Sequence, residues 1–253
     1  MNILNNFRRH LDAEIAVNEE QRIEAHRLRY EIYCEDRGYE NPAEFSDGLE
    51  KDEFDENSIH GLIRHKHTNR VAGVVRLVLS DPSAPEAPLP IELHCGDTFD
   101  RAILDQFEFS RSNIAEVSRF AVSSRFMGGG NKEISGEDPS QYFPHISLGL
   151  IAMLFVGSLH HQVTHWYAVM EPSLSRLLAR SGIEFTPIGP IVDYHGRRQP
   201  MIAKVNDLLS NVYQKRHDFF KLIEELGGVP STFAEEMSYR EQDNTGIQLV
   251  SRA

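Results

Sequence analysis

The chain has 253 residues, 40% of them hydrophobic and 25% charged, which gives one large domain or two small ones rather than a disordered chain. Its formal net charge of −12 excludes nonspecific nucleic-acid binding as a leading role, because that binding draws on Lys and Arg against phosphates. The first seventeen residues hold no apolar stretch long enough for a signal peptide, and Cys34 and Cys95 lie far apart, so a cytoplasmic protein is expected.

In chain order, Asn18 to Arg37 reads as a helix, with Ile23, Arg27, Tyr30 and Cys34 at spacings of three and four. Gly38 ends it and Asn41-Pro42 marks a break. Residues 40–58 are acidic and irregular. Residues 59–63 and Val71 to Leu79 read as a hairpin around Thr68-Asn69-Arg70, and Pro82 to Pro90 as a loop. Ile114 to Val122 is a third strand, followed by a polar, glycine-rich loop from Ser123 to Phe143. The run Ile146 to His161 reads as a buried core helix, since its apolar part is shorter than the roughly 18–20 residues a bilayer demands. Next come a strand at Trp166 to Met170, a helix at Pro172 to Ser181, late strands near 184–188, Ile191 and Met201, and a final helix from Val205 to Leu226. Such alternation predicts a single α/β sandwich around a mixed sheet. Residues 1–204 are expected to form the main domain, with 205–253 a C-terminal helix and tail.

Three segments carry candidate chemistry. The first is Arg29-Tyr30-Glu31-Ile32-Tyr33 with Arg37-Gly38-Tyr39; the second is Glu50, Asp52 and Asp55; the third is Glu116-Val117-Ser118-Arg119-Phe120-Ala121-Val122, with Arg76 on the preceding hairpin. Clustered carboxylates repel unless cations sit among them. Strict alternation puts Glu116, Ser118 and Phe120 on one face of the strand and Val117 and Arg119 on the other, unless a bulge intervenes. A bulge near Phe120 would splay backbone N–H groups into an oxyanion site.

In this order the three segments resemble the acyl-homoserine-lactone synthases and related N-acyl amino acid synthases, a branch of the GNAT-type acyltransferases, over about residues 20–190. The resemblance implies a GNAT-like three-layer αβα sandwich. It also implies an N-acyltransferase that moves a long-chain acyl group from a thioester to the amine of a small acceptor such as an amino acid. Arg29, Asp52, Asp55, Arg76 and Arg119 would form an electrostatic cluster over the acceptor site, beside Tyr33, Tyr39, Glu50 and Ser118. Asp52 would hold the acceptor's ammonium and Glu116 would act as general base, with N–H groups of Phe120, Ala121 and Val122 as the oxyanion site. Leu150, Met153 and Leu154 would line an acyl channel, or simply pack the core. Tyr39 stands where the lactone branch usually has Trp, and the glycine-rich insertion and extended C-terminus are more like the acyltransferases associated with PEP-CTERM and exosortase systems. These departures count against S-adenosylmethionine as acceptor. An autoinducer synthase and a noncatalytic acyl-binding protein remain the alternatives.

Arg125, Gly128 and Gly130 match the Arg-x-x-Gly-x-Gly cradle with which GNAT enzymes bind the pyrophosphate of coenzyme A, although no helix follows directly. Without that cradle an acyl carrier protein is the expected donor partner, through its phosphopantetheine, with acyl-CoA as the other co-substrate; no permanently bound cofactor is expected. The cationic groups Arg8 and Arg9, Arg22, Arg27 and Arg29, and Lys215 and Arg216 are either solvated helix faces or the docking site for that acidic partner. His160, His161 and His165 lack the companions of a metal site, and no metal is expected.

Overall fold

The computed structural model describes residues 3–127 and 139–233. Two elements precede the first expected helix: α1 (Ile3–His10) and β1 (Leu11–Ile15). Both are too short to display a hydrophobic period. β1 is a strand because it pairs antiparallel with β2 (Ser58–His65), a contact made across more than forty residues of chain.

Helix α2 (Glu19–Tyr30) begins at a reciprocal cap: the Gln21 N–H donates to the Asn18 side chain at 2.9 Å, and the Gln21 side chain accepts from the Asn18 N–H at 3.3 Å. It continues as a π-helical turn, Glu31–Asp36, and the chain then reverses at Gly38, whose φ of +61° suits glycine. The buried face of α2 is Ala25, Leu28 and Arg29 and continues to Ile32, not the expected stripe, in which Arg27 is exposed. A buried arginine on that face is what conceals it from a hydrophobicity reading.

The hairpin of β2 and β3 (Arg70–Leu79) is followed by α3 (Pro90–Cys95) and α4 (Arg101–Leu104), which no periodicity announced. Pro90 itself opens α3, at a position where its missing N–H costs nothing. Then come β4 (Ile114–Val122), α5 (Phe143–His160), β5 (His165–Met170), α6 (Pro172–Ala179), β6 (Thr186–Pro187), β7 (Val192–Asp193) and β8 (Arg197–Lys204). The expected last helix is two, α7 (Val205–Lys215) and α8 (His217–Glu225). Arg216 breaks it with φ −143° and ψ 66°, and its carbonyl accepts from Phe219 and Phe220 at the start of α8.

The strands form one mixed sheet in the order β1-β2-β3-β4-β5-β8-β6, with β7 paired to β8. Helices α1, α5, α7 and α8 share a core on one face, with Phe7, Leu150, Leu208 and Phe219 among its buried residues. Helices α2 and α3 cover the other face, where Val74 and Ala121 meet α2, and Tyr167 meets α3. This is the three-layer αβα sandwich of the GNAT fold. At 18 residues α5 has the length and apolarity of a membrane span, yet here it is the central core helix, with Leu150 and Ala152 fully buried.

Two features of packing position the site. First, α5 lies directly on the hairpin, because a Cβ at Gly61 would come within 2.7 Å of Met153 Cβ, and one at Gly73 within 2.8 Å of Ile146. Second, β4 and β5 pair in parallel only from Ile114↔His165 to Val117↔Ala168, although β4 runs on to Val122 and β5 to Met170. Past that point the two strands separate and the sheet splits. Gly61→Ala is expected to push α5 off the hairpin and cost about 1–3 kcal/mol of stability, the usual range for overpacking, read as a lowered midpoint in thermal unfolding.

Candidate active site

The split edge of β4 carries an irregularity. Opposite β3, Ser118 faces Arg76 and Ala121 faces Val74, so Val75 alone confronts both Arg119 and Phe120. Arg119 has φ +49°, a left-handed conformation that is uncommon for a residue with a side chain. It is the extra residue of a β-bulge, and it resets which side chains share a face. Ser118 and Arg119 both reach the α2 side. Phe120 turns to the α5 side with Val117 and Val122, where all three pack with the main core. The expected grouping of Phe120 with Glu116 and Ser118 is therefore corrected: the bulge reverses the alternation.

On the α2 side six charges close into a ring. Arg29 meets Glu50 at 2.5 Å, Glu50 meets Arg119 at 3.0 Å, and Arg119 meets Asp52 at 3.3 Å. Asp52 meets Arg76 at 2.6 Å, Arg76 meets Asp55 at 2.8 Å, and Asp55 returns to Arg29 at 2.6 Å. The acidic segment is anchored below this ring by its backbone, since the Glu50 N–H donates to the His26 carbonyl at 3.2 Å. Asp52 and Asp55 also cap each other's turn: the Asp52 N–H donates to Asp55 at 2.8 Å, and the Phe54 N–H donates to Asp52 at 3.0 Å. Arg76 further donates from Nε to Ser118 Oγ at 3.0 Å, and the Arg119 guanidinium lies 5.4 Å from the centre of the Tyr33 ring. Burial alone would raise the Glu50 carboxyl, but Arg29 and Arg119 outweigh it and hold it at about 2; Asp55 is driven down in the same way. Three cations and three anions thus neutralise one another inside the protein.

Glu116 is the exception. It lies on the same face, 5% exposed, and the one hydrogen bond its carboxylate accepts among the described residues is from the Ile91 N–H, at 2.6 Å. Burial pushes its carboxyl up to about 7, against the opposing pull of that N–H and of Arg76 and Arg119. A carboxylate of this kind takes and releases a proton near neutral pH.

Glu116 borders a cavity of about 710 Å³ that passes through the split between β4 and β5. On the α2 side its wall is polar, with Asp52, Arg76, Arg119, Tyr39 and Tyr194. On the other side it is apolar, with Leu154 and Trp166, then Ala168, Met170, Leu178 and Phe185. One space thus joins a charged chamber to an oily one, with Glu116 to Val122 along its border.

This architecture has known counterparts. Residues 28–134 match the acetyltransferase (GNAT) domain family. The fold is that of the GNAT acyltransferases. Among solved structures, the acyl-homoserine-lactone synthase LasI superposes with TM-score 0.57 at 18% identity, covering 81% of this chain and 96% of LasI. FeeM, an N-acyl amino acid synthase from uncultured soil microbes, gives 0.53 at 17%, covering 79% of this chain and 93% of FeeM. BjaI, a CoA-dependent acyl-homoserine lactone synthase solved with SAM and isopentyl-CoA, gives 0.53 at 21%, covering 88% and 90%. No curated protein sequence matches the chain at a significant level.

The structure brings Arg29, Tyr33, Tyr39, Glu50, Asp52, Asp55, Arg76, Ser118 and Arg119 to one side of the sheet beside Glu116. Arg29, Glu50 and Asp55 do not line the cavity and form the inner part of the ring. Of the expected channel residues only Leu154 lines the cavity. Leu150 and Met153 face the hairpin glycines instead, because the missing side chains of Gly73 and Gly61 leave those positions to them. Arg125 pairs with Glu31 at 3.4 Å, α5 begins only at Phe143, and Gly128 and Gly130 lie outside the described residues. Arg29 is no docking cation, being fully buried, and Arg8, Lys215 and Arg216 are engaged by Glu225, Glu184 and Asp218. His160 and His161 are exposed while His165 is buried on β5.

His26, Asp55 and His60 do gather within ligand distance of one another. Both Asp55 oxygens, however, already accept from Arg29, and Oδ1 also from Arg76, so a cation there would face two guanidiniums across occupied ligands. Residues that sequence reasoning missed are His94, Tyr194, His195 and Arg198 at the polar end of the cavity. For Tyr194 and His195 the signal was the Tyr-His-Gly-Arg turn, which brings His195 (φ +50°) and Gly196 (φ +98°) into a tight hairpin; His94 on α3 and Arg198 on β8 had no such signal.

Replacing Glu50 by Gln leaves Arg29 buried with one partner fewer and is expected to cost about 3–5 kcal/mol in urea unfolding at pH 7. Glu50 is held below its ordinary value of 4.5, so its contribution is present above pH 4.5 and lost as pH falls through about 2. The stability gap between wild type and Glu50→Gln is therefore expected to hold above about pH 4.5 and to close as pH falls toward 2, read as converging denaturation midpoints.

Proposed function

We propose that the protein is an N-acyltransferase that moves a long-chain acyl group from a thioester to the amine of a small acceptor, with an acyl carrier protein as the donor's carrier. The observation that carries this reading is the buried Glu116 at the border between a charged chamber and an apolar one, within a split GNAT sheet. Each half of the cavity fits one half of the reaction. The apolar side, with Trp166, Met170 and Phe185, suits an acyl chain; the polar side, with Asp52 and Glu116, suits an ammonium.

In this reading the acceptor's ammonium, held by Asp52, gives one proton to Glu116, directly or through a water, and Glu116 passes it to solvent. The free amine attacks the thioester carbonyl, forming a C–N bond and a tetrahedral oxyanion. The Ser123 N–H bonds the Ala72 carbonyl at 2.9 Å, so ladder alternation turns the Val122 N–H toward the open side, where it would stabilise that oxyanion. Collapse breaks the C–S bond, and the thiolate takes the second proton from the attacking nitrogen. The products are an amide, a thiol and one proton.

Neither cysteine suits an acyl-enzyme route. Both are buried, burial pushes the Cys34 thiol up to about 11 and raises that of Cys95, and neither lines the cavity. Direct attack by the acceptor is the chemistry the site favours. LasI and BjaI are synthases of acyl-homoserine lactones and FeeM of N-acyl amino acids, and all of these products carry an N-acyl bond.

The test is thiol release from long-chain acyl carrier protein and from acyl-CoA, each with a pool of amines and amino acids. Mass spectrometry of the products separates acyl amino acids from acyl lactones. Glu116→Gln is expected to lower kcat by roughly 10²–10³-fold. The wild-type kcat should fall on the acid side with a midpoint near pH 7, the value burial imposes on Glu116. Its carboxyl is raised on folding, so its ionisation withdraws stability as pH rises from 4.5 through about 7. The same Gln variant should therefore be more stable than wild type at pH 8, by on the order of 3 kcal/mol. Full turnover in that variant would remove Glu116 as the base.

A further inference from the structure

Four guanidiniums line the cavity, those of Arg37, Arg76, Arg119 and Arg198, and they differ in their partners. Arg76 and Arg119 are each paired with two carboxylates of the ring. Arg198 has no carboxylate partner among the described residues, and its Nε is shielded from solvent with no hydrogen-bond acceptor. Arg37 also borders the cavity without a partner, but it is exposed at the rim, where water and salt screen it. Glu40, a carboxylate on this wall, is already shared between Arg119 at 3.5 Å and His195 at 3.7 Å.

The fold directs Arg198 into the chamber. Along β8, Met201 packs with Ala168 and Met170 toward α6, whereas Ile202 packs with Tyr167 and Ile114 on the α3 face. Alternation then places Arg198 on the face of Ile202, the same face as Glu116. Its guanidinium lies 5.6 Å from the centre of the Tyr39 ring. It is held there from behind by the hairpin pair Val192↔Arg198, and the turn of that hairpin is braced by Tyr194 stacked on His94 at 4.6 Å. An arginine held in place with an unmet, shielded donor is costly unless a ligand completes it.

We propose that Arg198 is the anchor for a carboxylate on the acceptor, so that the acceptor is an amino acid, or another amine bearing a carboxylate, rather than a simple amine. A planar guanidinium matches a carboxylate through paired N–H donors. With the carboxylate on Arg198, the amine of the same molecule lies on the side of Asp52 and Glu116, and the chamber presents one cation and two carboxylates to a zwitterion. This assignment rests on the acyl-transfer reading for the identity of the bound molecule as acceptor, but binding of the carboxylate is separable from turnover.

The test compares amino acids with their decarboxylated counterparts: alanine with ethylamine, leucine with 3-methylbutylamine, phenylalanine with 2-phenylethylamine, and arginine with agmatine. In the wild type at least one amino acid should be acylated with a kcat/KM at least tenfold above its matched amine. Arg198→Gln should raise KM for that amino acid at least tenfold, change kcat by less than threefold, and leave the matched amine as it was. Arg198→Lys should recover part of the loss. Unfolding curves confirm that both variants are folded; if Gln is not tolerated, the Lys variant is expected to raise KM for the amino acid and spare the amine.

Equal use of amino acids and matched amines by the wild type would overturn the anchor while leaving acyl transfer in place. If the wild type acylates nothing, the acyl-transfer reading falls, and calorimetric titration of the same pairs decides the anchor by itself. Binding of an amino acid but not its amine, weakened at least tenfold by Arg198→Gln, sustains it; no such preference sinks it.

Discussion

Arg119 inserts one residue too many into β4, and the arrangement of the site follows from that insertion. In a regular strand its side chain would point with Val117 into the apolar layer, where an unpaired guanidinium is untenable. The left-handed turn at φ +49° instead brings it beside Ser118, into contact with Glu50 and Asp52, and turns Phe120 toward the apolar side. Strain of this kind persists only when its surroundings compensate it, and the compensation here is the ring of six charges. The ring binds the bulge in turn to α2 and to the acidic segment, which are far away in sequence. Bulge and ring therefore depend on each other: without the bulge Arg119 does not reach the ring, and without the ring Arg119 has no reason to adopt its conformation.

Glu116 shows how position along one strand changes the chemistry of a residue. Glu50 and Glu116 are both carboxylates with almost no exposure, on the same side of the sheet. Glu50 touches two guanidiniums and is held at about 2, whereas Glu116 touches one backbone N–H and is pushed up to about 7. The arginines that depress one carboxyl are spent on the ring and reach the other only at a distance. A carboxylate that stays ionised and one that titrates near neutrality are thereby separated by the contacts each makes.

Much of the fold was legible in the sequence. The strand Ile114 to Val122 and the helix through Ile146 to Leu159 carry strong local signals and lie where the periodicity puts them. Where the signal was tertiary, reading failed: β1 exists through its partner β2, and α3 starts at the proline that seemed to belong to a loop. The break at Arg216 had no Gly or Pro to mark it. Residue types identified the charged segments, and their order along the chain suggested the cluster, but which carboxylate would escape pairing depends on distances that no spacing encodes. Leu150 and Met153 were indistinguishable from Leu154 on an apolar helix, and only the glycines beneath them separate core from cavity. Arg198 lies at the start of β8, where its partner strand β7 has only two residues and gives no pattern of its own.

The cavity between β4 and β5 has walls on both faces of the sheet, polar on one and apolar on the other, and different elements supply them. The turn carrying Tyr194 and His195 borders only the polar half, and α6 only the apolar half, so substitutions can reshape one half without touching the other. Changes along α6 or at Trp166 alter what is accommodated on one side, and changes in the turn of Tyr194 and His195 alter what is accommodated on the other. The split sheet is in this sense a modular junction, with the buried Glu116 at the border between two separately adjustable ends.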